Sequence, residues 1–473
     1  MIKFLCAKPA GMVFLLCAAS IASHAQTLTT LVNFEGSNGA RPYLMSLVQG
    51  ADGNFYGTTQ AGGTDNYGTI FKVTPNGALT TLHSFRSTEG TSPSAGLVLS
   101  TNGNVYGTTT FGGTDNDGTI FTLSPAGKLA YLHSFQGSDG TFPYAALIQG
   151  ADGDFYGTTL GGGTHEGGTI FKINPAGALT TFHNFCAQAG CADGALPYAG
   201  LMEGTDGNFY GTTAFGGAPY YNGTVFQITP ERTYTVLYSF LETIFLGVPA
   251  GAQPYARLIA GPDGDFYGTT ETGGANGVTV TVSDGTIFSI TSGGSLTYLL
   301  SFDGTDGADP FAGLILATDG NFYGTTVLGG ASGLGSVFRL TPAGEVTTLY
   351  SFAGKDGTEP YGGLVEGTDG NLYGTTFAGG ANGYGTVFSL SVGLDRFVKT
   401  LPTSGTVGQT VWILGTDLTG ATSVTVNGTA AAFTVVSPTL VTATVPAGAT
   451  GGVVHVVTPS GTLSSNVSFR VLP

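Results

Sequence analysis

The octapeptide Asp52-Gly-Asn-Phe-Tyr-Gly-Thr-Thr59 is the most informative stretch of the chain, because close copies of it occur seven times. Its Asp-Gly pair is a hairpin-turn signal, and the aromatic and β-branched residues that follow favour a strand. The copies lie 50 to 57 residues apart, a period typical of β-propeller blades, whereas leucine-rich and helical repeats are shorter. Their central tyrosines are Tyr56, Tyr106, Tyr156, Tyr210, Tyr267, Tyr323 and Tyr373.

Each repeat contains four strand patterns, which we label A to D. In the first repeat, strand A covers residues 43–50, strand B 54–59, strand C 69–74 and strand D 79–85. Thr, Val, Ile, Phe and Tyr fill these stretches, and Gly, Pro, Asn and Asp separate them, as strands and turns require. No segment shows a sustained helical period, so the repeat region is predicted to be all-β.

The two ends of the repeat region complement each other. The last repeat has strands A, B and C, through residues 384–391, but no strand D. Residues 28–34 (LTTLVNF) form a strand D that no strand A, B or C precedes. Pairing of these two ends would cover an exposed sheet edge, which closed β architectures avoid. The sequence therefore predicts a seven-bladed β-propeller over residues 26–393, closed by the N-terminal strand.

Residues 1–25 have the pattern of a secretory signal peptide. Two lysines precede the apolar run at residues 11–21, and Ser23-His-Ala25 supplies small residues at the cleavage positions. The run is shorter than a membrane-spanning helix needs, and no other long apolar segment follows it. We therefore expect cleavage after Ala25, no transmembrane segment in the mature chain, and export to the medium, the cell surface or the periplasm.

Charge and cysteine content limit the partners and predict one covalent link. The chain has 14 Lys and Arg against 30 Asp and Glu, a formal charge of −16, which argues against a nucleic-acid-binding surface. After removal of residues 1–25 only Cys186 and Cys191 remain. An exported protein meets oxidising conditions, so these two cysteines are predicted to form a disulfide.

The sequence lacks the motifs that most often carry catalysis or cofactor binding, such as GxSxG, HExxH and the P-loop. No catalytic residue, metal or cofactor is therefore predicted. Calcium binding at residues 115–118 (DNDG) remains an alternative, although these residues do not form a complete EF-hand loop. The acids of the Asp-Gly turns are assigned to turn geometry. Three histidines of strand D are assigned to packing, because Leu300 takes their place in the fifth repeat; they are His83, His133 and His183.

The full repeat pattern is GL(V/I)xGxDGNFYGTTxxGG followed by GT(I/V)F, with clear examples at residues 200–213 and 363–376. It resembles the Gloeo-Verruco tandem repeat family of bacterial exported proteins, and the resemblance covers about residues 27–393. That family is defined by its repeat and not by an activity, so the resemblance implies export and architecture alone. The DGNFYG core is also similar, less specifically, to the DGNLW pattern of other bacterial propellers.

Residues 394–473 form a second unit of short Val- and Thr-rich strands, as in a small sandwich. The stretches 402–415, 422–428 and 444–461 resemble the IPT/TIG immunoglobulin-like domain. This resemblance implies a spacer or interaction module without chemistry of its own. Trp412, the one tryptophan of the chain, is predicted to lie in the core of this unit.

Two features of the repeats predict a binding face. All length variation falls on the D–A and B–C loops, which share one face of a propeller; it occurs at Cys186–Cys191, after Phe240, at 218–222 and at 275–284. Strand A also begins with an aromatic residue after proline in six of seven repeats, and Ser94 breaks the series. Such aromatics could stack on sugar rings, or they could serve blade packing alone. They are Tyr43, Tyr144, Tyr198, Tyr255, Phe311 and Tyr361.

The leading functional hypothesis is an exported, non-catalytic binding or adhesion-type protein of the cell surface or medium, with a glycan or another surface polymer as its partner. The first alternative is a polysaccharide lyase or glycosidase built on a propeller, which rests on architectural analogy. The second alternative is a structural protein of the cell envelope.

Overall fold

The computed structural model describes residues 26–240, 251–274 and 284–472, and the described chain is all-β with two short 3₁₀ turns at Ser87–Glu89 and Ala189–Cys191. The predicted signal peptide at 1–25 and most of two variable loops, at 241–250 and 275–283, lie outside the described residues. Within the described ranges, no helix is long and apolar enough to cross a membrane.

Six antiparallel sheets of four strands each come from one repeat apiece, with the strands in the order A, B, C, D. After β1 (Thr27–Asn33), the first three sheets are β2 (Val48–Gln49), β3 (Phe55–Thr59), β4 (Thr69–Val73) and β5 (Leu79–Ser84); β6 (Val98–Leu99), β7 (Val105–Thr109), β8 (Thr119–Leu123) and β9 (Leu129–Ser134); and β10 (Ile148–Gln149), β11 (Phe155–Thr159), β12 (Thr169–Ile173) and β13 (Leu179–Asn184). The next three sheets are β14 (Met202–Glu203), β15 (Phe209–Thr213), β16 (Thr224–Ile228) and β17 (Tyr234–Ser239); β19 (Ile259–Ala260), β20 (Phe266–Thr270), β22 (Thr286–Ile290) and β23 (Leu296–Ser301); and β24 (Ile315–Leu316), β25 (Phe322–Thr326), β26 (Ser336–Leu340) and β27 (Val346–Ser351). In the fifth repeat, β18 (Gly251–Ala252) and β21 (Thr272–Gly273) form a separate two-stranded sheet.

The seventh sheet combines both ends of the repeat region. Its order is β1, β30 (Thr386–Ser391), β29 (Asn371–Thr376) and β28 (Val365–Glu366). Strand β1 runs antiparallel to β30, with Leu28 opposite Leu390 and Asn33 opposite Thr386. The predicted pairing of the N-terminal strand with strand C of the last repeat is confirmed.

Strand A is much shorter than predicted. Only Val48–Gln49 pair in the first repeat, against a predicted strand over 43–50. The preceding stretch contains two residues with left-handed backbone, Arg41 at φ 55° and Leu44 at φ 50°, and a proline between them that has no N–H to donate. A regular ladder cannot form there, so this stretch lines a cavity instead of extending the sheet.

Aromatic contacts join neighbouring sheets. In five of the seven junctions the octapeptide tyrosine of one repeat lies against the octapeptide phenylalanine of the next, for example Tyr106 with Phe155 at a centroid distance of 4.1 Å. The same contact joins the seventh sheet to the first, where Tyr373 stacks on Phe55 at 3.9 Å. The turn acids hold these tyrosines, since the Tyr56 hydroxyl donates to Asp52 Oδ2 at 2.9 Å.

Polar contacts of strand D correct one expectation. The histidines assigned to packing also bind an acid of the following loop: His83 Nε2 lies 3.0 Å from Glu89 Oε2, and His133 Nε2 lies 2.9 Å from Asp139 Oδ2. In the third repeat, Cys186 and Cys191 form the predicted disulfide within that loop. The two histidine contacts tie the D–A loops of the first and second repeats to their own sheets, and the disulfide closes the D–A loop of the third repeat on itself.

The C-terminal strands form two four-stranded sheets and one parallel pair around a Val-rich core that includes Val411, Ile413 and Val456. In chain order they are β31 (Lys399–Leu401), β32 (Ser404–Thr406), β33 (Thr410–Leu414), β34 (Ser423–Val426), β35 (Thr429–Ala430), β36 (Phe433–Ser437), β37 (Leu440–Thr444), β38 (Val454–Thr458), β39 (Gly461–Ser464) and β40 (Arg470–Leu472), with β32 parallel to β40.

This C-terminal unit sits on the A–B turns of the repeats. Thr439 Oγ1 donates to the Ala51 carbonyl at 2.7 Å, and Arg470 Nη2 lies 2.9 Å from Glu203 Oε1. The expectation that Trp412 belongs to the sandwich core is wrong. It is half-buried and packs with Leu414 against Leu97 of the second repeat, because its strand faces the repeats.

Candidate binding site

One cavity of about 590 Å³ is lined by the strand A stretches of all seven repeats. In five repeats the lining starts at the post-proline aromatic residue, and at the other end of the cavity the C-terminal unit contributes Lys399, Thr400 and Leu401. Between these two ends the wall is aliphatic, formed by Val48, Val98, Ile148, Ile259, Ile315 and Val365.

The structure brings all six predicted aromatic residues together, and five of them line one end of this cavity, with Tyr43 packed against Tyr361. They form an unbroken series of five ring contacts with centroid distances of 4.5 to 5.6 Å. The series runs Tyr43, Tyr361, Phe311, Tyr255, Tyr198, Tyr144, and we call this set the aromatic collar. All six side chains are half-buried. The series is interrupted between Tyr144 and Tyr43, where Ser94 supplies no ring.

A repeated backbone feature positions the collar. The residue before the proline has left-handed backbone in every repeat, with φ between 54° and 59°. Such strain in a non-glycine residue costs about 1–3 kcal/mol and persists only when neighbours enforce it. Asp309 shows how: its N–H donates to the Asp284 carbonyl at 3.0 Å, and its carbonyl accepts from Val327 N–H at 3.1 Å. The seven side chains at this position all differ: Arg41, Ser92, Phe142, Leu196, Gln253, Asp309 and Glu359.

Exposed tyrosines of the B–C loops surround the collar. Tyr384 and Tyr67 are 44% and 39% exposed, and their carbonyls accept from the N–H groups of Arg41 and Ser92, which precede the collar prolines. In the fourth repeat, Tyr221 is 52% exposed. The loop face thus carries aromatic surface both at the cavity and around it.

Glu271 is an acid close to Tyr198 and Tyr255 of the collar, and sequence reasoning missed it. It follows strand β20 and is half-buried. Burial raises the pKa of its carboxyl to about 7, and the Asp309 carboxylate adds to this shift. Burial also raises the pKa of the Tyr43 and Tyr255 hydroxyls, so these remain neutral donors at neutral pH.

A comparison of repeat positions, residue by residue, would have found Glu271. Every other repeat has a neutral residue there: Gln60, Thr110, Leu160, Ala214, Val327 and Phe377. The same comparison singles out Arg257, which lines the cavity and replaces a small residue. Both residues are departures from the repeat, so a search for shared residues passes over them.

Glu271→Gln is expected to stabilise the protein above pH 7. A carboxyl whose folded pKa is raised to about 7 opposes folding once it ionises, so stability falls as pH rises from about 4.5 through 7. The gain at pH 8 should be on the order of 1 kcal/mol, since solvent screens part of this carboxyl. Thermal unfolding measured from pH 4 to 9 checks this, with exposed Glu231→Gln as the control. Equal gains in both variants would contradict the assignment.

A model of the Gloeobacter/Verrucomicrobia repeat family matches residues 7–218, 146–315 and 197–432, which together span most of the chain. The chain belongs to this family. The IPT/TIG domain model matches residues 397–471 of this Gloeobacter/Verrucomicrobia repeat protein. Both resemblances predicted from the sequence are thereby confirmed. No curated protein matches the chain.

Solved structures show distant likeness in fold. A protein from Bacteroides uniformis assigned as a 6-phosphogluconolactonase is 18% identical, with 66% of this chain and 84% of that chain covered, at a TM-score of 0.43. The extracellular domain of a one-component system from Bacteroides thetaiotaomicron is 11% identical, with 94% and 57% covered, at 0.47. A gluconolactonase from Xanthomonas campestris is 12% identical, with 58% and 78% covered, at 0.36. Structural similarity at this level does not indicate what activity the present protein has.

The part of the chain that the structure describes contains no cluster of metal-ligating side chains. No three His, Cys, Asp or Glu side chains are grouped there as a metal ion would need. The calcium alternative at residues 115–118 lies within that part.

Proposed function

We propose that this protein is an exported, non-catalytic glycan-binding protein whose ligand face is the aromatic collar. Its scaffold in this proposal is a seven-bladed propeller that β1 closes. The single observation that carries the functional part is the convergence of six half-buried aromatic residues, five of which line one end of a shared cavity. Aromatic faces bordered by hydroxyls suit sugar rings, which present one apolar face and a polar edge.

Contacts between the first and last repeats support a closed ring. Besides the Phe55–Tyr373 stack, the Gln49 side chain accepts from Thr368 N–H at 3.0 Å, which joins the first sheet to the seventh. Val32 and Phe34 of the N-terminal segment share one buried cluster with residues of both sheets. One cavity lined by all seven repeats is the arrangement that a propeller requires.

The distribution of polar groups supports binding at the collar. Tyr hydroxyls can donate to and accept from sugar hydroxyls, and Glu271 adds a carboxyl at the same end. The exposed tyrosines of the B–C loops would extend contact beyond one sugar unit, as a polymer needs. Export, which the residues at 1–25 predict, would bring this face to extracellular or surface glycans.

Binding of residues 26–473 to a glycan array tests the proposal. We expect at least one glycan to bind, and Tyr255→Ala to weaken that binding about tenfold, since loss of one stacking face removes about 1.4 kcal/mol. Tyr131→Ala is the matched control, because Tyr131 is 45% exposed on strand β9 outside the collar. Tyr255→Phe keeps the stacking face and should bind almost as wild type.

Two results would overturn this proposal. One is a folded protein that binds no glycan on the array. The other is a Tyr255→Ala variant that keeps wild-type affinity while Tyr131→Ala loses it. Circular dichroism of each variant separates loss of binding from loss of fold.

A glycosidase is the second candidate, favoured by Glu271 beside Asp309. A carboxyl with a pKa of about 7 suits a general acid, and a second carboxylate nearby is what glycoside hydrolysis needs. Release of reducing ends from the bound glycan, abolished in Glu271→Gln, would support an enzyme. Glycan binding without any release of reducing ends would support the non-catalytic function.

A further inference from the structure

Position 257 is unusual among the seven repeats. The equivalent residues are all small and all line the shared cavity: Ser46, Gly96, Ala146, Gly200, Gly313 and Gly363. Arg257 alone brings a long charged side chain to this level of the wall. It lies two residues after collar residue Tyr255 and two before the aliphatic Ile259, and all three line the cavity. Its side chain therefore enters the space between an aromatic and an aliphatic layer.

The guanidinium of Arg257 belongs to the wall of the cavity. Its side chain is exposed, and the exposed surface faces the cavity, where protein surrounds it on the other sides. Among the described residues it makes no hydrogen bond or ion pair. Burial lowers its pKa, with no carboxylate close enough to offset the effect. Arginine does not lose its proton under such conditions, so the enclosed charge requires an anion or water.

The other charged groups of the cavity wall are already engaged. Lys399 donates to the Glu366 carbonyl, and the Glu366 carboxylate accepts from Thr318 Oγ1 at 2.7 Å and Thr318 N–H at 3.2 Å. These groups lie where the C-terminal unit meets the repeats. Among the described residues that line the cavity, Arg257 is thus the charged side chain left to bind a ligand.

We infer that the cavity binds a small organic carboxylate with an apolar body, held by Arg257. A guanidinium offers two parallel N–H donors that match one carboxylate. The aliphatic layer and the collar provide apolar walls on either side, and a volume of about 590 Å³ lies in the range of small-molecule sites. This site is separate from a glycan on the outer face of the collar and does not rest on the proposed function.

Isothermal titration of residues 26–473 with benzoate and hexanoate tests this inference. Inorganic phosphate, sulfate and the uncharged benzyl alcohol serve as comparison probes. We expect both carboxylates to bind, and Arg257→Gly to weaken them at least tenfold. Glycine occupies the equivalent position in four other repeats, so this variant should fold. Arg257→Gln keeps the size without the charge and should also lose binding, whereas Arg232→Gln, an exposed arginine over Phe182, should not.

Stability gives an independent measurement. A cation without a partner among the described residues contributes little to folding, so Arg257→Gln, which keeps the length of the side chain, should unfold at an equal or higher temperature than wild type in the absence of ligand. A clear loss of stability in that variant would mean that Arg257 has a structural role and would overturn the inference. So would equal binding by Arg257→Gln, binding of benzyl alcohol alone, binding of inorganic anions alone, or no binding by either carboxylate at millimolar concentration.

Discussion

Deletion of residues 26–36 is expected to destroy the cooperative fold of the repeat region. Strand β1 supplies the fourth strand of the seventh sheet, and its partner β30 lies at the other end of the region. Phe34 is fully buried and Val32 is 7% exposed, both in the cluster between the first and seventh sheets. Loss of this strand should remove more than about 5 kcal/mol and leave β30 as an open, aggregation-prone edge.

Urea unfolding and light scattering measure this effect. Phe34→Ala should cost about 3–5 kcal/mol by itself, because a fully buried phenylalanine leaves a cavity. Thr29→Ala, at an exposed position of the same strand, should stay within about 0.5 kcal/mol of wild type. If the deleted protein remains monomeric and unfolds at the wild-type urea concentration, β1 does not close the repeat region.

Gly157→Ala is expected to cost about 2–3 kcal/mol, although it adds one methyl group. This octapeptide glycine lies in the middle of β11, beneath an aromatic ring of the neighbouring strand. A Cβ at this position would lie 2.5 Å from Phe171 Cζ and 2.8 Å from Leu147 Cδ2, both in the buried core. The same close approach occurs at the equivalent glycine of every repeat, which explains a glycine inside a strand.

The controls for Gly157→Ala separate crowding from backbone effects. Gly137→Ala places a methyl group where the nearest atom outside its chain neighbours is 4.0 Å away, and it should be neutral in urea unfolding. Phe171→Leu shortens the crowding ring, so the double variant should lose less stability than the sum of the two single variants. Strict additivity would contradict the packing account.

The repeat made the sheets predictable. Period, turn residues and the unmatched strand at 28–34 were enough to predict seven four-stranded sheets and the pairing of β1 with β30. Strand A could not be delimited in this way. Its left-handed residues, such as Arg41 and Leu44, are not glycines, and an ordinary side chain gives no signal of such backbone.

The site was only half predictable, for a physical reason. Aromatic residues that recur, such as Tyr198 and Tyr255, could be placed on strand A, but their mutual contact depends on how seven sheets pack. Glu271 and Arg257 each occur once, so a search for shared patterns passed over them. Trp412 was misplaced because a half-buried aromatic at a domain contact has the same local sequence as one in a core.

A crystal structure of residues 26–473, soaked with a glycan selected on the array, tests the central claim most directly. That claim is a ring closed by β1 whose collar is the ligand face. The account predicts Thr27–Asn33 beside Thr386–Ser391 and a sugar ring against the collar tyrosines. A β1 strand paired elsewhere, or a glycan bound away from the collar, would contradict it.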